Sequence, residues 1–298
     1  MKRMLPALAV LLALAPAKAQ SQADDYDELR LGQYVITTQR SYTKGDAGGI
    51  LRVHQDGLLV HSQRTTGPFG AWIIHQPPTD VTGDGVLDLV ALERTGGANC
   101  CRVYHVFSLG EHFEKVGEID TGHGGWEEPV FVNLDTDPQL EIGFRDDTFA
   151  YWQVSLAGSP MPGVVVEFRN GAFRLDAQAM RQPPTIRLDD SEVPFDETNL
   201  ASLAQEISRD GEWQGRGPSS ISPGPPAELW SAMLGLIYSG NARLAWELLD
   251  RTWPDEFVAR EGQERTFTKG EWRALFLNQL SQSPYWEDLR ELNRGNLQ

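Results

Sequence analysis

From Leu31 to about Asp176 the apolar positions either alternate with polar ones or gather in short unbroken runs, and helical spacing is absent. The runs "YVITTQ", "GILRVH", "LLVHSQ", "AWIIH", "LDLVALE", "CRVYHVF", "FEKVGEI", "PVFVNL", "LEIGF" and "GVVVEFRNGAFRLD" have the length and period of strands. Asp56-Gly57 and Asn170-Gly171 predict tight hairpins, because both pairs tolerate positive φ, and "SLGEH" predicts a looser one. The stretch "GRGPSSISPGPP" at 215–226 has the composition of a linker, and beyond it the period becomes helical. Leu229, Trp230, Met233, Leu234, Ile237 and Tyr238 share one face. A turn at Ser239-Gly240-Asn241 precedes a second face made of Leu244, Ala245, Leu248 and Leu249, which predicts two antiparallel helices. Thr268 caps a further helix that Pro284 interrupts. Six of the nine tryptophans lie at or after Trp213, as a compact helical domain needs large side chains to fill its core.

The turns repeat. "DVTGDGVLDLV" begins at Asp80 and "NLDTDPQLEIG" begins 53 residues later at Asn133, each between two apolar runs and each followed by a hairpin. One unit is four antiparallel strands, the make-up of a propeller blade, and a partial earlier copy covers about residues 31 to 66. The expected fold is β + α: about three propeller-like four-stranded blades over 31–180, a partly helical linker over 181–226, and a small α-helical domain over 227–298. Residues 1–19 are set apart as a leader and 20–30 as an N-terminal tail. Since "DETNLASLAQEISRD" looks helical, no further blade fits before the linker, and an open fragment with one edge covered by helices is favoured over a closed ring.

Three aspartates at every fourth position dominate the first of these turns. Numbered from Asp80, oxygen-bearing side chains stand at positions 1, 3, 5 and 9, as Asp80, Thr82, Asp84 and Asp88. The Val86 carbonyl stands at position 7 and Gly85 allows the sharp reversal at position 6. Alternate residues of a tight turn can converge on a hard cation that takes six to eight oxygens at about 2.3 to 2.6 Å. Carboxylates held so close repel one another unless a cation intervenes. In the second turn Asn133, Asp135, Asp137, Gln139 through its carbonyl, and Glu141 occupy the same positions, but Pro138 replaces the glycine. The helix-loop-helix calcium motif is excluded, because its position 12 is Ala91 within a strand. The bland alternative is that both turns are Asp-Gly-rich and cap only their own amides.

The first loop resembles the FG-GAP or VCBS-type repeat, the blade unit of integrin alpha-chain β-propellers and of many exported bacterial proteins. That family's calcium loop runs D-x-[DN]-x-D-G-x-x-D, which this chain follows from Asp80 to Asp88 except at Thr82. The resemblance covers about 100 residues and implies bound calcium and a scaffold for a protein or glycan partner. "GGANCC" is likewise similar to a feature of bacterial proteins with such repeats.

Charge and cysteine usage narrow the setting. "MKRMLPALAVLLALAPAKAQ" reads as a secretory signal cut after Ala19, its apolar run being too short to span a bilayer. A periplasmic or secreted location is expected, without a membrane span. The formal charge of −16 becomes −19 once Lys2, Arg3 and Lys18 are removed, which disfavours nucleic acid and anionic lipid as partners. Cys100 and Cys101 are adjacent, and a vicinal disulfide, a free pair and a metal or redox role all remain open. No nucleophile motif, phosphate loop or paired-histidine metal motif occurs. The enzymatic alternative is a hydrolase or lyase of envelope polysaccharide, in which Glu127 or Glu128 of "DTGHGGWEEP" acts as general base.

Overall fold

In the computed structural model the described residues are 26–41, 47–67, 69–75, 77–97, 100–123, 128–188, 191–195, 199–210, 225–253 and 268–297. Three four-stranded antiparallel sheets follow one another along the chain. The first holds β1 (Tyr26–Leu31), β2 (Tyr34–Ser41), β3 (Gly48–Gln55) and β4 (Leu58–Arg64). The second holds β5 (Ala71–Ile74), β6 (Asp88–Arg94), β7 (Arg102–Leu109) and β8 (Phe113–Gly122). The third holds β9 (Val130–Val132), β10 (Glu141–Arg145), β11 (Gly163–Arg169) and β12 (Ala172–Leu175). In each sheet sequence neighbours are sheet neighbours, so every strand pair is a local hairpin. The turns at Asp56-Gly57 (φ 49° and 80°) and Asn170-Gly171 (φ 54° and 78°) are left-handed at both residues, as two-residue hairpins require.

The second sheet is central, and β6 shows why. Leu89 and Ala91 join Tyr34, Ile36, Leu51, Val53, Trp72 and Phe107 in one core shared with the first sheet. Val90 and Leu92, which point the other way, join Tyr104, Val106 and Ile119 in a core continuous with the third sheet and the helices. A strand buried on both faces has no polar side, so its sequence reads as an unbroken apolar run instead of an alternating one. That is the origin of "LDLVALE".

Helices dominate the remainder. The Asp176 carboxylate caps a short turn, α1 (Ala177–Met180), by accepting from the amides of Gln178 and Ala179. A hairpin of β13 (Thr185–Leu188) and β14 (Ser191–Pro194) leads into α2 (Leu200–Asp210). α3 (Ala227–Tyr238) and α4 (Ala242–Thr252) pack as an antiparallel pair about the turn at Ser239 to Asn241. α5 (Lys269–Leu280) starts in a capping box between Thr268 and Glu271, and α6 (Trp286–Leu292) follows the Pro284 break. Trp230, Trp272 and Phe276 are fully buried in this unit. Among the described residues no helix is long and apolar enough to cross a membrane.

One buried carboxylate joins the β region to the helices. Asp146, just after β10, accepts from the Tyr238 hydroxyl on α3 and from the Ser283 hydroxyl between α5 and α6, both at 2.6 Å. Its other oxygen takes the Thr148 amide at 2.9 Å. Burial, then the Asp146 charge, raises the Tyr238 hydroxyl well above the usual tyrosine range, so it stays a donor.

Two boundaries differ from expectation. β1 begins inside the stretch assigned to an N-terminal tail, so the first unit is a whole four-stranded sheet and not a partial copy. Alternating residues such as "YDELRL" carry few apolar side chains, which hid this edge strand. The segment read as a partly helical linker opens with the β13–β14 hairpin before its predicted helix, and 211–224 lie outside the described residues. The leader at 1–19 lies outside them as well.

Candidate metal centre

The two acidic turns occupy corresponding places: one joins β5 to β6, the other β9 to β10. The first is closed at its base by backbone hydrogen bonds in both directions between Thr79 and Asp88. The side chain of Val81, wholly buried, roots it in the core. Gly83 and Gly85 are both left-handed, at φ 76° and 85°, which confirms the need for glycine at position 6 and adds one at position 4.

Side-chain roles repeat at the 53-residue offset. The position-9 carboxylate is buried in each loop and accepts the position-2 amide: Asp88 Oδ2 from Val81, Glu141 Oε2 from Leu134. The position-5 carboxylate accepts the position-7 amide at 2.8 Å in one case and 3.0 Å in the other: Asp84 from Val86, Asp137 from Gln139. The loops therefore descend to one hydrogen-bonding plan, which supports the repeat at atomic level.

They part at positions 1, 3 and 6. Asp80 spends both oxygens on amides, Oδ1 on Gly83 and Oδ2 on Gly85. Pro138 has no amide to offer, and Asn133 compensates by reversing polarity: its Nδ2 donates to the carbonyls of Asp137 and Gln139. The Gln139 carbonyl, expected as a ligand, is thus taken by Asn133. At position 3, Thr82 gives its amide and its hydroxyl to Asp88 Oδ2 at 3.0 and 3.2 Å, whereas Asp135 adds a third carboxylate. For Val86 the hydrogen bond that places it is donated by its amide.

In consequence Asp135, Asp137 and Glu141 bring one oxygen each within 4.8 Å of one another and could hold a metal ion; among the described residues no other acidic, histidine or cysteine trio does so. Position 3 decides this, because Thr82 replaces a carboxylate there. The first loop carries a different sign of a cation. Asp88 is wholly buried, yet its Oδ1 has no hydrogen-bond partner. Burial raises its pKa, the amides of Val81 and Thr82 lower it, and the neighbouring Asp84 charge raises it again. A buried oxygen without a donor is costly, and a cation is a partner that it can share with the neighbouring Asp84 carboxylate.

No family model, curated protein or solved structure matches the chain. The chemistry therefore rests on the residues themselves.

A further carboxylate joins the second loop from outside it. Gln139 Nε2 donates to both Asp137 Oδ2 and Glu167 Oε2, each at 3.0 Å. Glu167 sits on β11, one step beyond the Ile142–Val166 pair, and hence beside Glu141 across the strands. Burial raises the Glu167 pKa, and the charges of Asp176, Asp137 and Glu141 add to the rise against Arg169. Sequence spacing could not reveal Glu167, since its approach depends on strand register.

Two other expectations can be placed. Cys100 and Cys101 are bonded to one another across a cis peptide in the β6–β7 connection, where Thr95 takes and gives hydrogen bonds with Cys101. On β7 the His105 ring pairs with buried Glu93 at 3.2 Å against Trp72, and burial lowers its pKa. Of the two glutamates considered as bases, Glu128 is exposed and Glu127 lies outside the described residues.

Proposed function

We propose that the chain is an exported, calcium-binding β-blade module that presents its loops to a protein or glycan partner. The observation that carries the cation is the buried, unpartnered Oδ1 of Asp88, set in a loop with Asp80 and Asp84. Calcium is favoured over softer metals because carboxylate, hydroxyl and carbonyl oxygens are the donors at hand, with no histidine or cysteine among the residues of either loop. Asp84, Asp88 and Thr82 would hold one ion, and Asp135, Asp137 and Glu141 a second. The charge it brings offsets the repulsion within each loop and fixes the turn from which β6 or β10 grows. Export is supported by the leader-like N-terminus, and the propeller-like reading by three successive meander sheets. The binding role follows from the resemblance to scaffold repeats.

The test is thermal unfolding in millimolar calcium, in magnesium and in chelator. Calcium is expected to raise the Tm of the parent, Asp84→Ala to lessen that rise, and Asp84→Ala combined with Asp137→Ala to remove most of it. Equal melting in all three solutions would exclude the cation.

A further inference from the structure

A second cluster lies away from the acidic loops, where β8 ends beside the turn after β10. Asp147 Oδ2 accepts the His123 backbone amide at 2.8 Å and the His123 Nδ1–H at 3.0 Å. A carboxylate can only accept, so the shared hydrogen sits on Nδ1, and Nε2 is left on the far side of the ring from Asp147. Gly122 makes this approach possible: it is left-handed at φ 45°, and a Cβ there would lie 1.9 Å from Asp147 Oδ2. The Tyr151 ring meets His123 edge to face with centroids 5.3 Å apart, and 46% of Tyr151 remains exposed. Tyr151 and Gln153 are both left-handed, at φ 60° and 58°, a conformation that side chains of their kind avoid and that tends to persist where it serves a site. His123 and Asp147 are each about a quarter exposed, at 26% and 29%.

We infer that His123, Asp147 and Tyr151 form a subsite for a neutral saccharide, a reading that rests on the partner-binding role proposed above and names its ligand class. The Asp147 carboxylate accepts and the imidazole Nε2 is a second polar atom beside it, so the ligand must carry donors, and hydroxyl groups, which both donate and accept, can meet the two together. A chain of charge −16 disfavours polyanions, and hydroxyl groups are the neutral donors that suit such an array. The exposed Tyr151 ring adds an apolar surface for the C–H face of a sugar ring, and it comes with few rotors to order.

The test is titration calorimetry of the full mature chain, in calcium, with malto-, cello-, xylo- and chito-oligosaccharides. One series is expected to bind, and Tyr151→Asn and His123→Ala are each expected to weaken it tenfold or more at unchanged Tm. Asparagine is chosen because it tolerates the left-handed backbone while removing the ring. If His123→Ala does not fold, Tyr151→Asn alone decides. Lack of binding by every series, or binding unchanged in Tyr151→Asn, overturns the inference. The calcium-dependent rise in Tm, read on the same samples, separates the two claims: if it persists while all sugars fail, only the saccharide subsite falls.

Discussion

The turn from Asp80 to Asp88 and the turn from Asn133 to Glu141 share a hydrogen-bonding plan but distribute their charge differently. The first has carboxylates at positions 1, 5 and 9, with the one at position 1 accepting from two glycine amides. The second has them at positions 3, 5 and 9, where they converge. The paired change of Asp-with-Gly to Asn-with-Pro shows that a turn can lose its left-handed glycine if the residue at its start turns from acceptor to donor. The loops also touch: the Leu140 amide donates to the Val81 carbonyl at 3.2 Å, and Gly83 lies so close to Gln139 that a Cβ would come within 2.8 Å of it. What happens at one loop is therefore felt at the other.

The largest effect should come from the shared position 9. Asp88→Ala strands two amides and a hydroxyl in the interior and is expected to cost about 2 to 4 kcal/mol in denaturant unfolding. Glu141→Ala strands the Leu134 amide and should cost about 1 to 2 kcal/mol. Equal losses would show that the two carboxylates are interchangeable. Next, exchanging the differing pair tests compensation directly. Asn133→Asp with Pro138→Gly should recreate the first loop's pattern, and the double variant should be more stable than the sum of the singles by about 1 kcal/mol. Additive behaviour in that cycle would break the comparison. At position 3, Thr82→Asp should give the first loop the trio that the second has and tighten calcium binding about tenfold, read by calorimetry.

The smallest expected effect is on pH dependence. Because burial raises the Asp88 pKa, its contribution is fully present below the unfolded carboxylate value of about 3.9 and is lost as pH rises through the folded value. In chelator, the parent should thus lose stability relative to Asp88→Asn as pH climbs from 4 toward neutrality. In calcium that loss should be offset, since the ion favours the charged form. A parent and variant that run parallel in chelator would place Asp88 outside the titration.

Much of this is legible in the sequence. Strand runs, both two-residue hairpins, the α3–α4 pair and the Thr268 cap follow from local patterns, because hairpins, turns and caps are set by neighbours in sequence. The repeat was readable for the same reason. What local patterns cannot carry is register and polarity between distant residues. Glu167 beside Glu141, Asp146 beneath Tyr238 and Ser283, and Asp147 against His123 all depend on tertiary approach. Pro138 stands as an obstacle in the sequence because its compensation lies in the amide orientation of Asn133, which sequence does not state. β1 leaves little trace in the apolar pattern because an edge strand faces water along most of its length.

The double burial of β6 has a consequence for how the molecule comes apart. No surface of that strand can be wetted without opening one of the two cores that meet on it, so neither outer sheet can peel away silently. In a native-state hydrogen-exchange experiment the amides of Leu89 to Leu92 should be the last to pick up deuterium, through global opening alone, whereas β4 and β1 exchange early through fraying.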